Sequence, residues 1–211
     1  MPENESSKYL EQVYSASDNR ALKEAYDQWS DKYDAHVTGF GYQIPAVASC
    51  LFGRYVAPDT GPFLDAGTGT GLMGEMLDIL GYQGQVAIDL SKGMLARAAA
   101  RGVYTELREM VLGEKLDFAD NHFGACQSIG VFTAGHAPAS AFDELVRIVR
   151  PGGHIVFSLM ERLYEEGDFK EKLEGLETAK KWTQVARTRP FPGLPLEDPD
   201  LMHQVFVYRV L

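Results

Sequence analysis

The chain is organised around residues 63–71, which read Phe63-Leu64-Asp65-Ala66-Gly67-Thr68-Gly69-Thr70-Gly71. Two apolar residues lead into an acid, three glycines then occupy alternate positions, and residues 72–77 continue with apolar side chains at helical spacing. This pattern predicts a buried strand, a tight turn and a helix. Glycine allows a positive φ and a close approach of a ligand to the backbone. The start of the helix leaves N–H groups free for an anionic or polar ligand group.

The spacing of the glycines distinguishes between the ligands that such a turn can bind. The dinucleotide fingerprint is G-x-G-x-x-G, whereas Gly67, Gly69 and Gly71 place the third glycine one residue early. Asp65 precedes the turn, where a carboxylate would repel a pyrophosphate and attract a cationic ligand. The phosphate-binding pattern that ends in G-K-[ST] is absent. A purely structural turn would also fit these residues, so the surrounding sequence has to decide.

Length and composition limit the classes of protein to which this chain can belong. It has 211 residues, of which 45% are hydrophobic and 24% charged, which is typical of one α/β domain. The net charge of -10 argues against a nucleic-acid partner, because phosphate binding draws on clustered Lys and Arg. Cys50 and Cys126 match no metal or redox spacing, so no metal site is predicted. No apolar run reaches membrane-spanning length, and we expect a soluble cytoplasmic protein without a membrane partner.

Strand and helix patterns alternate after the glycine turn. Strands are predicted at residues 85–90, 104–112, 123–129 and 154–159, with helices between them, which favours a parallel sheet with helices on both faces. Two later stretches, 182–187 and 203–210, are expected to pair antiparallel. The predicted fold is therefore α/β: a Rossmann-like, mostly parallel seven-stranded sheet with helices on both faces, an antiparallel C-terminal edge strand and an N-terminal helical lid.

The N-terminal segment is rich in aromatic residues and repeats a Tyr-Asp pair seven residues apart, at Tyr26 and Tyr33. Asp18 is placed to cap a helix in this segment. Its rings would either pack against the core or cover a ligand, and residues 1–17 would form either a disordered arm or a helix that closes over the site. We expect residues 1–55 to form an N-terminal lid and residues 56–211 to form the Rossmann-like domain, within one globular unit.

A second acid, Asp89, lies at the end of the next predicted strand, about 20 residues after the glycine turn. Adjacent parallel strands end side by side, and an acid at this position binds ribose hydroxyls in Rossmann-type sites. Ser91 is then expected to cap the next helix. Two acids at neighbouring strand ends would thus flank one ligand.

Taken together, these motifs resemble those of the class I S-adenosylmethionine-dependent methyltransferases over about residues 20–211. Residues 64–71 resemble the first motif of the family, and residues 87–91 with 94–95 resemble the second. Residues 118–123 and 150–154 resemble two later motifs. Within the class, residues 26–29 and the run 130–136 resemble a methyltransferase-like group named after a Williams–Beuren-region protein.

The resemblance implies S-adenosyl-L-methionine as the cofactor and S-adenosyl-L-homocysteine as its product. Asp65 would face the cationic end of the donor, Asp89 the ribose, and Leu90 with Met94 the adenine. The family often has an acid after the third strand for the adenine amine, but residues 111–114 hold no Asp, so a backbone carbonyl or Glu114 is expected there. The implied cofactor-binding residues are Tyr26, Tyr33, Asp65, Ala66, Gly67, Thr68, Gly69, Asp89, Leu90, Met94, Leu112, Gly113, Glu114, Ile129 and Gly130.

Methyl transfer by direct displacement requires positioning, and a base if the acceptor carries a proton. His136 is the candidate catalytic base because it follows the fourth strand at the carboxyl end of the sheet; its alternative role is packing in a loop. Tyr42, Phe132 and His136 are the predicted substrate pocket.

Three functions are compatible with these patterns. The first is a methyltransferase acting on a small molecule, as a monomer or homodimer. The second is a protein or RNA methyltransferase, although the acidic charge disfavours RNA and no Asn/Asp-Pro-Pro-aromatic tetrapeptide is present. The third is a nucleotide-binding module without catalysis or a dehydrogenase, against which the glycine spacing and Asp65 argue.

Overall fold

Four α-helices precede the first strand in the computed structural model, which describes residues 5–211. They are α1 (Glu5–Tyr14), α2 (Asn19–Trp29), α3 (Tyr33–Gly39) and α4 (Ile44–Tyr55). The Asp18 side chain accepts a hydrogen bond from Ala21 N at 2.8 Å, so the predicted cap of α2 is confirmed. Residues 1–4 of the predicted lid lie outside the described residues.

The α/β part follows, with strands alternating with helices except between its third and fourth strands, which no helix separates in the described chain. Its elements are β1 (Phe63–Ala66), α5 (Leu72–Ile79), β2 (Gln85–Asp89), α6 (Lys92–Ala100), β3 (Tyr104–Glu109), β4 (Phe123–Phe132), α7 (Ala141–Ile148) and β5 (Val149–Met160). The C-terminal part contains α8 (Glu161–Glu166), α9 (Phe169–Thr178), β6 (Trp182–Arg187), β7 (Phe191–Leu194) and β8 (Asp198–Val210). Ser91 caps α6 as predicted, since its hydroxyl accepts a hydrogen bond from Met94 N at 3.0 Å.

The strands form one sheet in the order β3-β2-β1-β4-β5-β8-β6, with β7 paired to β8. Strands β1 to β5 are parallel to one another, whereas β8 runs antiparallel to β5 and β6. The predicted Rossmann-like, mostly parallel fold is therefore confirmed. The strand order reverses between β1 and β4, and in open α/β sheets this switch point is where a ligand binds.

The C-terminal end of the sheet differs from the prediction in two details. The sheet has eight strands rather than seven, because Phe191–Leu194 pairs as an additional short strand with β8. The C-terminal strand is antiparallel as predicted, but it lies inside the sheet because β6 pairs with its outer side. Alternating polar and apolar residues reveal a strand, but not which neighbour it joins.

Three apolar clusters hold these layers together. One contains Phe142, Phe157 and Trp182, and a second contains Phe52 and the β1 residue Phe63. The third joins the helices α1 to α3 to Leu194 of β7 and centres on Trp29, which is 1% exposed. The N-terminal helices therefore have a core of their own, which packs beside the sheet.

No helix within the described residues is both long and apolar enough to span a lipid bilayer.

Gly124 of β4 makes a backbone contact that no side chain would permit. A Cβ there would lie 2.0 Å from the carbonyl oxygen of Thr60, in the segment that leads into β1. We expect Gly124→Ala to lower the free energy of unfolding by about 1–3 kcal/mol, as other substitutions that overfill a packed interior do. Chemical denaturation measures this value.

The matched control is Gly175→Ala in α9, where a Cβ would meet nothing within 4 Å. An alanine should raise helix stability there by about 0.5–1 kcal/mol. Equal effects of the two substitutions would contradict the packing described for β4.

Candidate active site

The glycine loop between β1 and α5 has the conformation that its sequence predicts. Gly67, Gly69 and Gly71 have φ values of 77°, 54° and 86°, which only glycine adopts readily. A Cβ on Gly67 would also lie 2.4 Å from a methyl carbon of Val131. The loop therefore packs its backbone against the end of β4 and leaves other backbone atoms to line a cavity.

That cavity has about 900 Å³ of empty space, including its open mouth, and lies at the carboxyl ends of the strands. We refer to it as the donor cavity. Fourteen of the predicted site residues line it: Tyr26, Tyr33, Tyr42, Asp65, Gly67, Thr68, Gly69, Asp89, Leu90, Met94, Leu112, Ile129, Gly130 and His136. The structure thus brings together residues that are far apart in the sequence.

Four predicted residues do not line the donor cavity. The prediction that Phe132 lines the substrate pocket is corrected, because its ring is fully buried and stacks on Phe142 in the core at a centroid distance of 4.4 Å. Ala66 is likewise fully buried in that core cluster. Gly113 and Glu114 are exposed beyond the cavity wall, so Glu114 does not face the space left for a ligand.

The cavity also contains residues that the sequence analysis missed, namely Asn19, Leu22, Pro45, Thr70, Leu72, Met73, Met110, Val111, Val131 and Ala137. Some of these carried a usable signal. Asn19 and Leu22 stand at helical spacing from Tyr26, on the same face of α2. Met110 and Val111 directly follow β3, where the strand-end rule that identified Asp89 applies equally.

Asp65, at the end of β1, is only 2% exposed. Its Oδ2 accepts hydrogen bonds from the Thr68 hydroxyl at 2.8 Å and the Tyr104 hydroxyl at 2.6 Å. Burial raises the pKa of Asp65, while these hydrogen bonds favour its charged form. Tyr104 comes from β3, and nothing in its local sequence indicated this contact.

Asp89, at the end of β2, ties the glycine loop to the start of α6. One carboxylate oxygen accepts a hydrogen bond from Gly69 N at 2.8 Å and the other from Ser91 N at 2.9 Å. Burial raises the pKa of Asp89 to about 6, so the group is ionised at pH 7.5. Among the described residues that line the donor cavity there is no Lys or Arg. Two buried acids without a matching cation favour a cationic ligand.

His136 lies on the loop after β4 and is paired with Tyr26 of α2. The Tyr26 hydroxyl is 2.7 Å from His136 Nε2, and His136 Nδ1 is 2.8 Å from the carbonyl oxygen of Ala134. Because a carbonyl only accepts, Nδ1 carries the proton and Nε2 accepts from the tyrosine. Burial lowers the pKa of His136, so the imidazole is neutral at pH 7.

The Tyr-Asp pairs at residues 26–27 of α2 and 33–34 of α3 make the same two kinds of contact. Each tyrosine lines the donor cavity, while each aspartate fixes the helix to the α/β part. Asp27 accepts hydrogen bonds from the Ser91 hydroxyl at 2.6 Å and from Gly93 N at 2.8 Å, at the start of α6. Asp34 bonds the Thr70 hydroxyl of the glycine loop at 2.5 Å.

Arg101 completes the second of these anchors. Its Nη2 donates to Asp34 at 2.5 Å, and its Nε donates to the backbone carbonyl of Thr70 at 2.6 Å. Its Nη1 pairs with Glu75 of α5. A single guanidinium therefore holds α3, the glycine loop and α5.

The hydrogen bond from Tyr104 to Asp65 can be removed without changing the packing of the ring. We expect Tyr104→Phe to destabilise the protein by about 1–3 kcal/mol at pH 8, because a buried carboxylate loses a donor. The deficit should shrink as the pH falls through the raised pKa of Asp65, since the protonated acid needs that donor less. Denaturant unfolding at pH 8 and pH 5 measures both values.

Tyr55→Phe serves as the control, because the Tyr55 hydroxyl makes no hydrogen bond to any described residue and its ring contacts Arg54 and His154. A deficit for Tyr104→Phe that is equal at both pH values, or equal to that of Tyr55→Phe, would show that the carboxylate does not depend on the tyrosine.

Comparison with known proteins places this geometry in a family. Residues 64–157, which run from β1 into β5, match the family model described as "Methyltransferase domain". The chain is 32% identical over 164 residues to methyltransferase-like protein 27 of Homo sapiens, covering 74% of this chain and 66% of the relative. It is 32% identical over 124 residues to a ubiquinone biosynthesis O-methyltransferase of Alkalilimnicola ehrlichii, covering 57% of this chain and 48% of the relative. The chain thus spans between about half and two thirds of the length of these relatives.

Among solved structures, the fold is similar to that of geranyl diphosphate C-methyltransferase from Streptomyces coelicolor A3(2), which was determined in complex with Mg²⁺, geranyl diphosphate and S-adenosyl-L-homocysteine. The TM-score is 0.63 at 12% identity, and the match covers 85% of this chain and 84% of the other. At that identity the likeness shows the fold alone. The matched motif region, the human relative and the sheet topology agree, and the chain belongs to the class I S-adenosylmethionine-dependent methyltransferases.

Proposed function

We propose that this chain transfers a methyl group from S-adenosyl-L-methionine to a small-molecule acceptor by direct displacement. The observation that carries the proposal is the donor cavity, in which Asp65 and Asp89 stand at neighbouring strand ends beside the glycine loop. Two carboxylates face this space without a cation among the lining residues that the structure describes. A ligand with an ammonium and a sulfonium group supplies the missing positive charge.

The residues of the cavity fit the parts of this donor. An ionised carboxylate offers about four acceptor positions, and Asp89 uses two of them on Gly69 N and Ser91 N, which leaves room for two ribose hydroxyls. Leu90, Met94 and Leu112 form an apolar wall suited to the adenine ring. Asp65 lies toward the charged end. When bound, the donor supplies an electrophilic methyl group.

The chain's own contribution is to position the reactants, exclude water and accept a proton. The anchored helices α2 and α3 cover the donor cavity, and we propose that residues 1–55 act as its lid over the Rossmann-like domain, 56–211. His136 Nε2 already accepts the Tyr26 hydroxyl. A proton from an acceptor can therefore reach the neutral imidazole through Tyr26, which makes His136 the proposed general base.

A small acceptor is favoured over a macromolecule by the surroundings of the cavity. The sequence carries a net charge of -10, and no Lys or Arg lines the donor cavity in residues 5–211. Binding of RNA draws on such cations. The same N-terminal helices also cover the donor cavity, which suits a compact acceptor better than an extended chain.

Binding of the product of the donor tests the proposal directly. Asp89→Ala should weaken the binding of S-adenosyl-L-homocysteine by about tenfold or more, since hydrogen bonds to a charged group contribute about 1.5–3 kcal/mol each. Isothermal titration calorimetry measures the affinity, and thermal unfolding verifies that the variant is folded. Asp117→Ala is the matched control, because that carboxylate is 99% exposed.

An unchanged affinity in Asp89→Ala would contradict the proposal. Micromolar binding of NADH in place of S-adenosyl-L-homocysteine would favour a dinucleotide-binding protein instead.

The affinity should also depend on pH. The pKa of Asp89 is raised to about 6, and the ribose hydroxyls donate to the ionised form. At pH 5 roughly one tenth of the groups are ionised, so affinity should be about tenfold lower than at pH 7.5. Calorimetry across this range measures the slope.

In Asp89→Asn most of that slope should be lost, because the amide does not titrate. A slope that is unchanged in the variant would assign the titration to another group, and Asp65 would then be the next candidate.

A further inference from the structure

A second, smaller cavity lies between the N-terminal helices and strands β7 and β8, with about 460 Å³ of empty space including its opening to solvent. We propose that it is the acceptor pocket and that it takes an uncharged aromatic compound carrying a hydroxyl group, which Thr133 holds by a hydrogen bond. This inference rests on the proposed methyl transfer and names the substrate class of that reaction.

The second cavity adjoins the donor cavity. Tyr26, Tyr33, Tyr42 and Gly130 line both, so these residues form a shared wall. Gly130 and Tyr42 are tightly packed in this wall, because a Cβ on Gly130 would lie 2.3 Å from the Tyr42 hydroxyl oxygen. In direct displacement the acceptor oxygen has to contact the methyl carbon, and an acceptor in the second cavity would approach it at this shared wall.

The walls of the second cavity carry no charge at neutral pH. Among the described residues that line it there is no Asp, Glu, Lys or Arg. Burial raises the pKa of Tyr14 to about 12 and lowers the pKa of His203 below its ordinary value. An anionic or cationic acceptor would therefore lose its hydration without gaining a counter-charge, which favours an uncharged molecule.

The aromatic residues in the walls of the second cavity favour a flat ring as its occupant. Trp29 and Tyr33 meet edge to face at a centroid distance of 4.8 Å. The Trp29 Nε1 group already donates to His36 Nδ1 at 2.9 Å, so the one polar group of the indole is already paired. Aromatic walls bind rings by stacking and edge contacts.

Thr133 supplies the polar contact that such an occupant would need. It is 7% exposed, and its Oγ1 has no hydrogen-bond partner within the described part of the chain. Other buried hydroxyls here are paired, as Ser128 is with the carbonyl of Ala66 at 2.8 Å. Leaving a buried hydroxyl unpaired is unfavourable. Thr133 lines the second cavity, not the donor cavity, and follows Gly130 by three residues.

A hydroxyl held there completes a balanced reaction. Its oxygen forms a bond to the methyl carbon as the bond between that carbon and the sulfonium sulfur breaks, and the electron pair stays on the sulfur. The hydroxyl proton passes to Tyr26 while the Tyr26 proton moves to His136 Nε2, along the existing hydrogen bond. The products are a neutral ether, a neutral thioether and an imidazolium.

Three probes that share the 2-naphthol ring and hydroxyl and differ in net charge test the substrate class. They are 2-naphthol, 6-hydroxy-2-naphthoate and 6-(aminomethyl)-2-naphthol at pH 7, titrated by NMR with and without S-adenosyl-L-homocysteine. We expect 2-naphthol to bind at least about tenfold more tightly than either charged analogue, because the walls offer no counter-charge. Tightest binding of the aminomethyl compound would overturn the proposal in favour of amine acceptors, and tightest binding of the carboxylate would overturn it as well.

Thr133→Val locates the probe, since it removes one hydroxyl and keeps the volume. The affinity for 2-naphthol should fall about three- to tenfold, while S-adenosyl-L-homocysteine binds as before. Thr178→Val makes the same change at an exposed position and should alter neither. An unchanged 2-naphthol affinity in Thr133→Val would overturn the proposal.

The two ligands separate this inference from the proposed function. S-adenosyl-L-homocysteine that binds while no probe does would overturn the acceptor pocket and leave the methyltransferase in place. The reverse result, with 2-naphthol bound in a manner that depends on Thr133 and S-adenosyl-L-homocysteine not bound, would sustain the pocket's chemistry and overturn the methyl transfer.

Discussion

The active site depends on one carboxylate that is hydrogen-bonded to two backbone segments at once. Asp89 accepts N–H groups from the glycine loop and from the start of α6, so the end of β2 fixes the loop that follows β1. A glycine loop has many conformations available to it, and its positive φ values are kept only if the surroundings select them. The same acid has acceptor positions left over, so in the proposed function a single group both supports the loop and binds the ligand.

The N-terminal helices are attached to α6 and the glycine loop by polar groups, and not by apolar packing alone. Their own apolar cluster, centred on Trp29, gives them a core, while Asp27 and Asp34 join them to α6 and to the glycine loop. The tyrosine beside each aspartate lines the donor cavity. A repeat of seven residues is two helical turns when it lies within one helix, but here the two pairs lie on α2 and α3 and reach different neighbours.

Local sequence patterns predicted most of the fold and part of the candidate site. The strand, glycine turn and helix at residues 63–77 follow from neighbouring residues, as do Asp89 and the caps at Asp18 and Ser91. Tyr104 was missed because its bond to Asp65 spans 39 residues, and no local pattern encodes it. Phe132 was assigned to the pocket wrongly because β4 loses its regular register between Ser128 and Phe132. Alternation of the two faces cannot be followed through that irregularity, which contains Gly130 at a φ of 76°.

Arg101 links helix α3 of the N-terminal part to the glycine loop. Its guanidinium donates to Asp34 of α3 and to the carbonyl of Thr70 in the glycine loop, and its side chain is only 14% exposed. If α3 swings outward, this ion pair breaks, and the Thr70 hydroxyl of the loop loses its acceptor, Asp34, in the same movement. If residues 1–55 act as the proposed lid, departure of the spent cofactor would be coupled to relaxation of its own binding loop. Screening of this ion pair by salt would then speed turnover wherever lid opening limits the rate.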